Sequence, residues 1–374
     1  MTLWDGSAFE ESLLRNAELG LRNCIGANAC MDACPVNRLG VNQNELDSVM
    51  VSGVWTERVQ TFVTECVQCG DCTLACPAGV QRDQMMLLLK SRLPRIPREW
   101  KRYYMLKGRQ DQSWLISISD LFSRRMAGPL GKYVDKPHLE QKPLLFYLGC
   151  YIFSPSGAPQ ATLKLADRLG LEYEVLAGVR SCCGWPQYLT GRMDYGQGML
   201  EHLGELIEEA APETIVTGCA ECYAALLRLK KRTGAAWVPL TTPQWLLGHA
   251  DALEWRREEG RVALHDSCHV TKKAGMPDPS RQLLSLMADV AEMTPDPQDC
   301  VCCGYYNIHV NHELTGGLHA DKLTTVRKAG AEAMAVECVT CWEAYREAFE
   351  KAKVPLWELM VLAEQATRPQ GDAS

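Results

Sequence analysis

The chain has 374 residues, enough for two or three domains that each bury a hydrophobic core. Its 47% hydrophobic and 23% charged residues are ordinary for a globular protein, and its formal net charge of −7 argues against nucleic-acid binding. The first residues show no basic stretch followed by an apolar run, and no window holds the roughly 18 apolar residues of a membrane span, so we expect neither a signal peptide nor a transmembrane segment.

The number of cysteines, 18, is the unusual feature of the composition. In a small secreted domain such a content indicates a disulfide framework, but this chain is long and has no secretory pattern. We therefore expect a cytoplasmic protein in a reducing compartment, whose cysteines serve several metal centres.

The first third of the chain, residues 1–90, contains two runs of closely spaced cysteines. Residues 66–77 read CVQCGDCTLACP, the C-x2-C-x2-C-x3-C-P run of bacterial ferredoxins, in which three cysteines hold one 4Fe–4S cluster and the fourth reaches the neighbouring cluster. Zinc is the weaker interpretation, because a zinc site needs only four tetrahedral ligands, often as two separated pairs. The helical spacing of apolar residues on both flanks predicts an α-helical, two-cluster ferredoxin-like domain.

The other run, CIGANACMDACP at residues 24–35, keeps the spacing but has Ala27 where the second cysteine belongs. With the ferredoxin crossover, one 4Fe–4S cluster would be held by Cys34, Cys66, Cys69 and Cys72. The other site would have only three ligands, which are Cys24, Cys30 and Cys76. Three interpretations stay open for it: an electron-storing 3Fe–4S centre, which we favour, a 4Fe–4S cluster whose fourth iron takes water or Asp32, or a motif that no longer binds.

Residues 91–142 contain several prolines and are interpreted as a linker. The stretch RLPRIPREWKRYYMLKGR, residues 92–109, is basic and aromatic, and contact with nucleic acid or an acidic membrane is one interpretation of it. We prefer a solvated helix whose aromatic side packs on a neighbouring domain, with docking of an acidic partner protein as the second choice.

Residues 143–260 and 261–374 carry one cysteine pattern twice. Each copy has a lone cysteine, a Cys-Cys-Gly and a C-x2-C, and matching cysteines lie 118 to 120 residues apart, which indicates an internal duplication. Apolar runs alternate with amphipathic patterns, so we predict a duplicated α/β domain with largely parallel sheets. The cysteines follow the strands and should converge at the carboxyl ends of the sheets, where such folds bind ligands.

The adjacent cysteines of each copy are poorly suited to a structural disulfide. Neighbouring Cα atoms lie about 3.8 Å apart, whereas a disulfide usually needs about 4.4–6.8 Å. A thioredoxin-like role for the C-x2-C would leave the other cysteines unexplained. We therefore assign a metal or cluster role to all ten, which are Cys150, Cys182, Cys183, Cys219, Cys222, Cys268, Cys302, Cys303, Cys338 and Cys341. Cys300 is left over and is expected to be a free thiol.

The duplicated pattern resembles the CCG cysteine-rich domain pair of the heterodisulfide reductase B subunit, which is also found in related form in iron–sulfur subunits of glycolate and lactate oxidoreductases. The first third resembles the C subunit, so the chain looks like a fused C–B protein over about residues 20–350. The resemblance implies that the five cysteines of each CCG motif ligate a noncubane 4Fe–4S cluster. It also implies that the two clusters face a cleft and split a disulfide, one sulfur binding an iron of each.

The cofactors implied are two noncubane 4Fe–4S clusters, one cubane 4Fe–4S cluster, and one 3Fe–4S or three-cysteine 4Fe–4S cluster. The first hypothesis is an oxidoreductase that reduces or forms a disulfide or related sulfur substrate between the noncubane clusters, with electrons from the N-terminal clusters. The second is an electron-transfer subunit of a flavin-dependent hydroxy-acid or acyl-CoA oxidoreductase, and a zinc scaffold is a distant third. The complete duplicated ligand sets favour the first.

Either redox function requires partners. The chain has no G-x-G-x-x-G fingerprint after a strand, so we expect a flavoprotein or other redox subunit to donate or accept electrons within an oligomeric complex. The small-molecule partner would be a disulfide or a thiol.

The chain departs from its relatives after Gly304, where they often have small residues and this chain has Tyr305, Tyr306, Asn307 and His309. These side chains are expected to reshape the pocket, so that the methanogen heterodisulfide need not be the substrate. Three histidines near the ligand positions are candidate catalytic proton donors, and they are His265, His269 and His309.

Overall fold

The computed structural model describes residues 9–100, 124–257, 259–276 and 278–369. Its first part is helical, as predicted. The six helices described there are α1 (Phe9–Asn23), α2 (Ala29–Asp32), α3 (Gln43–Ser52), α4 (Glu57–Glu65), α5 (Asp71–Leu74) and α6 (Arg82–Ser91). Gly53, in the left-handed region at φ 69°, ends α3, and the Thr56 hydroxyl accepts the Val59 N–H to begin α4.

The remainder contains two α/β units of the same design. The first consists of β1 (Leu144–Gly149), α7 (Ala158–Arg168), β2 (Tyr173–Ala177), α8 (Trp185–Leu189), α9 (Met193–Ala210), β3 (Thr214–Thr217), α10 (Ala220–Thr233), β4 (Val238–Thr241) and α11 (Thr242–Leu247). The second consists of β5 (Arg261–His265), α12 (Asp278–Met287), β6 (Asp289–Ala291), α13 (His312–Lys328), β7 (Ala333–Val336), α14 (Val339–Ala352), β8 (Leu356–Glu358) and α15 (Leu359–Ala366).

Each unit has a four-stranded sheet, with strand orders β2-β1-β3-β4 and β6-β5-β7-β8. Every strand pair in both sheets is parallel. The central strands are apolar because helices cover both faces, and all four residues of β7 are buried. The duplicated α/β fold with parallel sheets is therefore confirmed.

The two units pack on each other reciprocally. Helix α7 of the first unit packs against α15, the last helix of the second, and α11 of the first packs against α12 of the second. Arg168 on α7 reinforces this contact, since its guanidinium lies 3.0 Å from the Glu364 carboxylate. The pairing of first and last helices relates the units by an approximate two-fold axis.

The helical domain docks on both units. Helix α6 contacts α8, and α1 contacts α9. On the second unit, a π-helical turn at His269–Lys273 supplies two lysines: Lys272 pairs with Asp71, and Lys273 lies 3.3 Å from Asp83. The side chain of Asn307 donates a hydrogen bond to the backbone carbonyl of Glu65.

Only the start of the basic stretch at 92–109 can be placed, because 101–109 lie outside the described residues. Trp100 is buried, and the Lys90 ammonium lies 4.9 Å from the centre of its ring. This end of the stretch packs an aromatic side chain on the helical domain, and the helix expected over the stretch stays a prediction. Within the described ranges, no helix combines the length and apolar character needed to cross a bilayer.

Gly184 shows why a glycine follows the adjacent cysteines. Its backbone is left-handed at φ +78°, and a Cβ there would lie 2.5 Å from the carbonyl oxygen of Gly196. The tight turn lets α8 begin directly after Cys183, and it needs a residue without a side chain.

We predict that Gly184→Ala lowers the free energy of unfolding by about 3 kcal/mol, because it adds a backbone clash to left-handed strain. Gly170→Ala is the matched control: φ is +66° there, but a Cβ would meet nothing within 4 Å, so about 1 kcal/mol is expected. Anaerobic denaturant titration followed by circular dichroism measures both. Equal losses would contradict the role given to the Gly196 contact.

Candidate iron–sulfur centres

The five cysteines of the first unit form one continuous group. Cys150 directly follows β1, and its Sγ lies 3.8 Å from the Sγ of Cys182. The thiols of Cys182 and Cys222 are near enough to shift the pKa of Cys183, and Cys219 is near enough to shift that of Cys222. We call this set the first cysteine group.

The second unit repeats the arrangement in the second cysteine group. The Sγ atoms of Cys268 and Cys302 are 3.9 Å apart. Cys303 contacts Cys302 and Cys341, and Cys341 contacts Cys338. The order of contacts along both groups is the same, as expected for a duplicated site.

Both C-x2-C motifs open helices, as the sequence predicts. Cys219 caps α10 at φ −111°, ψ 122°, and Cys338 caps α14 at φ −114°, ψ 124°. The positive ends of the helix dipoles therefore point at the sulfurs, which favours thiolates as ligands.

The two groups meet where the capping cysteines of α10 and α14 come together. Cys219 and Cys338 are close enough for each thiol to shift the pKa of the other. Glu221 lies between them, with its Oε2 3.1 Å from the Cys219 Sγ and 3.9 Å from the Cys338 Sγ. The Thr340 hydroxyl donates to the same oxygen over 3.2 Å. The sulfurs of the two units thus share one buried carboxyl group.

Glu221 was missed by the sequence reasoning. It stands inside the first C-x2-C, at the position that Thr340 takes in the second, and an acidic residue between two metal-type cysteines was the available signal. Burial raises its pKa to about 8, and the charge on Cys338 acts in the same direction.

A pocket of about 260 Å3, which we call the central pocket, opens beside this meeting point. The first cysteine group lines it through Cys150, Cys183, Cys219 and Cys222. The opposite wall comes from the second unit and consists of Tyr305, Tyr306, Val339, Thr340 and Glu343. The described pocket wall contains no cysteine of the second group, so a ligand in the pocket would touch the first group directly.

Two of the four unusual residues after Gly304 line the central pocket, and two do not. Tyr305 and Tyr306 do line the central pocket, with their rings packed edge to face at 5.3 Å. Asn307 instead binds the helical domain, and His309 is exposed and away from the pocket wall.

In the helical domain, four cysteines line one cavity, and they are Cys34, Cys66, Cys69 and Cys72. These are the four that the crossover assigns to one cluster. Burial raises the pKa of the Cys34 thiol to about 12 and raises the pKa values of Cys69 and Cys72 well above their usual range. Buried thiols of this kind become thiolates when a metal compensates their charge.

The three cysteines left by the substitution at Ala27 also come together, since Cys24 and Cys76 are charge neighbours of Cys30. Arg82 lies among them: it is buried, pairs with Asp47, and directs its Nη2 at the Cys24 Sγ over 3.6 Å. Sequence reasoning did not single out Arg82. Asp32, the candidate fourth ligand, is exposed and accepts a hydrogen bond from Asn28.

The three candidate histidines lie in different environments. His265 and His269 are buried, and burial lowers the pKa of each well below its usual value. His269 contacts the Cys268 Sγ through Nδ1 at 3.5 Å. None of the three belongs to the described wall of the central pocket, and their catalytic role stays a prediction.

Cys300 is buried but stands outside the contact chain of the second group. Burial raises its pKa to about 12, while the nearby Lys272 acts in the opposite direction. Lys322, which is also buried, lies beside Cys300, Cys303 and Cys341. The second cysteine group thus has buried positive charge close to it.

The donor sets fit multi-iron clusters better than single ions. All 18 cysteines are free thiols in the structure. In each α/β unit the thiols lie next to one another in a row, which suits clusters that distribute thiolates over several irons.

Two family models match the chain. A 4Fe–4S dicluster domain covers residues 20–80, and a cysteine-rich domain named CCG matches twice, at residues 144–227 and 262–343. The resemblance recognised in the sequence is confirmed: this is an iron–sulfur protein that joins a dicluster domain to a duplicated CCG domain.

Three curated proteins are similar to the chain in sequence. The B subunit of fumarate reductase (CoM/CoB) from Methanothermobacter marburgensis is 24% identical, over 88% of this chain and 68% of the relative. The D subunit of dihydromethanophenazine:CoB–CoM heterodisulfide reductase from Methanosarcina acetivorans is 22% identical, over 66% and 63%. Lactate utilization protein A of Anoxybacillus flavithermus is 29% identical, over 39% and 65%. The alignments thus span about two thirds of each relative's length.

One solved structure, a hypothetical protein from Helicobacter pylori, shares the fold with a TM-score of 0.52. It is 10% identical, and the match covers 98% of this chain and 77% of that one. This match concerns the fold alone. The family models and the relatives indicate an iron–sulfur subunit of the oxidoreductase type.

Lys272→Met should lower the free energy of unfolding by about 3 kcal/mol, because it leaves Asp71 without its partner in a mostly buried ion pair. The Lys272 side chain is 2% exposed and that of Asp71 17%. Lys351→Met is the control, since Lys351 and Glu347 form a pair that is 74% and 78% exposed; no resolvable change in stability is expected there. Denaturant titration compares the stability of the two variants. An equal loss of stability would show that the Lys272–Asp71 pair does not stabilise the docking of the helical domain.

Proposed function

We propose that this chain is an oxidoreductase subunit that reduces or forms a disulfide, or a related sulfur compound, at the central pocket. The observation that carries the proposal is the meeting of two complete five-cysteine groups at Cys219 and Cys338, beside a pocket large enough for a small organic molecule.

The first and second cysteine groups would each hold a noncubane 4Fe–4S cluster through their five thiolates. When bound, the two clusters supply the two electrons that an S–S bond needs in order to become two thiols, and two protons complete the balance. The protein's part is to hold both groups close together beside one pocket, whose described wall includes cysteines of the first group. The capping positions of Cys219 and Cys338 and the shared contact with Glu221 hold them there.

The N-terminal domain would hold a cubane 4Fe–4S cluster through Cys34, Cys66, Cys69 and Cys72. Cys24, Cys30 and Cys76 would hold a 3Fe–4S or three-cysteine 4Fe–4S cluster. Arg82 supports an occupied site, because a buried guanidinium among three sulfurs compensates negative charge at that position.

The docking of the domains supports a direction for electron transfer within the chain. Cys69 is a charge neighbour of Cys302, so the four-cysteine cavity lies next to the second group. The central pocket opens on the first group. Electrons supplied by the helical domain would therefore reach the second group first and the substrate through the first.

Partner subunits are part of the proposal. Two of the relatives are named as subunits of a fumarate reductase and of a heterodisulfide reductase. This chain would likewise exchange electrons with a flavoprotein or another redox subunit in a complex.

The alternative is an electron-transfer subunit of a flavin-dependent hydroxy-acid or acyl-CoA oxidoreductase, which the similarity to lactate utilization protein A favours. In that case the complex would oxidise the hydroxy acid or acyl-CoA, and no thiol or disulfide would alter the spectra of the isolated chain.

The ligand assignment predicts that Cys183→Ala and Cys303→Ala each lower the bound iron by about four atoms per chain, since each removes a central member of one group. Cys300→Ala is the matched control: Cys300 is equally buried and close to Cys302 in sequence, but outside the contact chain, so iron content should not change.

Iron is quantified in anaerobically purified protein, with circular dichroism to verify folding. Unchanged iron in both Cys183→Ala and Cys303→Ala would show that the groups do not hold the clusters. A loss in Cys300→Ala as large as theirs would show that the assigned five are not the ligand set.

A further inference from the structure

The wall of the central pocket combines aromatic side chains with carboxyl groups. Five aromatic rings face it, from Tyr151, Phe153, Trp185, Tyr305 and Tyr306. The ionisable groups other than cysteine and tyrosine that line it are two carboxyl groups, Glu221 and Glu343. Among the described lining residues there is no lysine, arginine or histidine.

Positive charge lies near the pocket, next to Trp185. The guanidinium of Arg228 and the ammonium of Lys273 lie 5.2 Å and 5.3 Å from the centre of the Trp185 ring. Lys273 is paired with Asp83 at 3.3 Å. Neither side chain is among the described residues of the pocket wall.

A pocket of this kind discriminates by charge. A carboxylate, sulfonate or phosphate entering it would lose hydration without gaining a cationic partner, and it would face Glu343. An ammonium group would find a carboxylate and the faces of aromatic rings. Glu221 adds no positive charge in either protonation state.

We propose that the substrate of the central pocket is an uncharged or positively charged organic disulfide, or the corresponding thiols, with apolar groups next to sulfur. This inference rests on the proposed disulfide chemistry and specifies its substrate class. It separates this chain from any enzyme of the same cysteine pattern whose substrate carries acidic groups.

Three disulfides with two-carbon arms test the charge preference at nearly constant size: cystamine (two positive charges), 2-hydroxyethyl disulfide (no charge) and 3,3′-dithiodipropionate (two negative charges). Binding to the oxidised, anaerobically purified full chain is measured by calorimetry without reductant, and reduction is measured with an artificial electron donor. We expect the dianion to bind at least about tenfold more weakly than the other two, with a similar loss in kcat/KM.

Glu343→Lys should strengthen binding of 3,3′-dithiodipropionate and weaken binding of cystamine, so that the difference between their affinities shrinks toward reversal. Glu347→Lys is the matched control, because it makes the same charge change one turn further along α14 at an exposed position outside the pocket. It should leave the order of the three disulfides as in the wild type.

The outcomes separate this inference from the function on which it rests. Equal or tighter binding of the dianion in the wild type, with its reduction, would overturn the substrate class and leave the disulfide chemistry standing. An equal response to Glu343→Lys and Glu347→Lys would overturn the assignment of selectivity to the pocket wall. Failure of all three disulfides to bind or to be reduced would count against the proposed function itself.

Discussion

The reciprocal packing of the two α/β units is the constraint on which the rest of the structure depends. In each unit, parallel strands deliver the cysteines to one edge of a sheet. That arrangement alone gives two separate groups of thiols. The contacts of α7 with α15 and of α11 with α12 turn the two edges toward each other. As a result Cys219 and Cys338, which are 119 residues apart in sequence, become neighbours.

The two units differ in the contacts that the proposed function would use. The helical domain places Cys69 beside the second unit, and Lys272, Lys273 and Lys322 gather positive charge there. The cysteines in the described wall of the central pocket all belong to the first unit. In the proposed function, the second group would receive electrons and the first would face the substrate, whereas two identical sites would give electrons no preferred direction.

Local signals in the sequence predicted much of this arrangement. A C-x2-C after an apolar run predicts the end of a strand and the start of a helix. A glycine after two adjacent cysteines predicts a tight turn. Both signals are local, because a few neighbouring residues set turn geometry and helix capping. The parallel sheets and the grouping of the ten cysteines could therefore be predicted. Glu221, Arg82 and Lys322 could not, because their roles come from contacts between distant segments. Asn307 shows the same limit: it lies near the ligand cysteines in sequence but binds Glu65 of the helical domain.

Clusters held by the two complete cysteine groups would act on sulfur at the central pocket. Electron paramagnetic resonance of the oxidised, anaerobically purified chain can detect this, with iron quantified and spectra recorded before and after addition of 2-mercaptoethanol. We expect about fifteen or sixteen irons per chain and a new paramagnetic signal that depends on the thiol. About seven or eight irons and spectra unchanged by thiol would contradict it and leave the electron-transfer alternative.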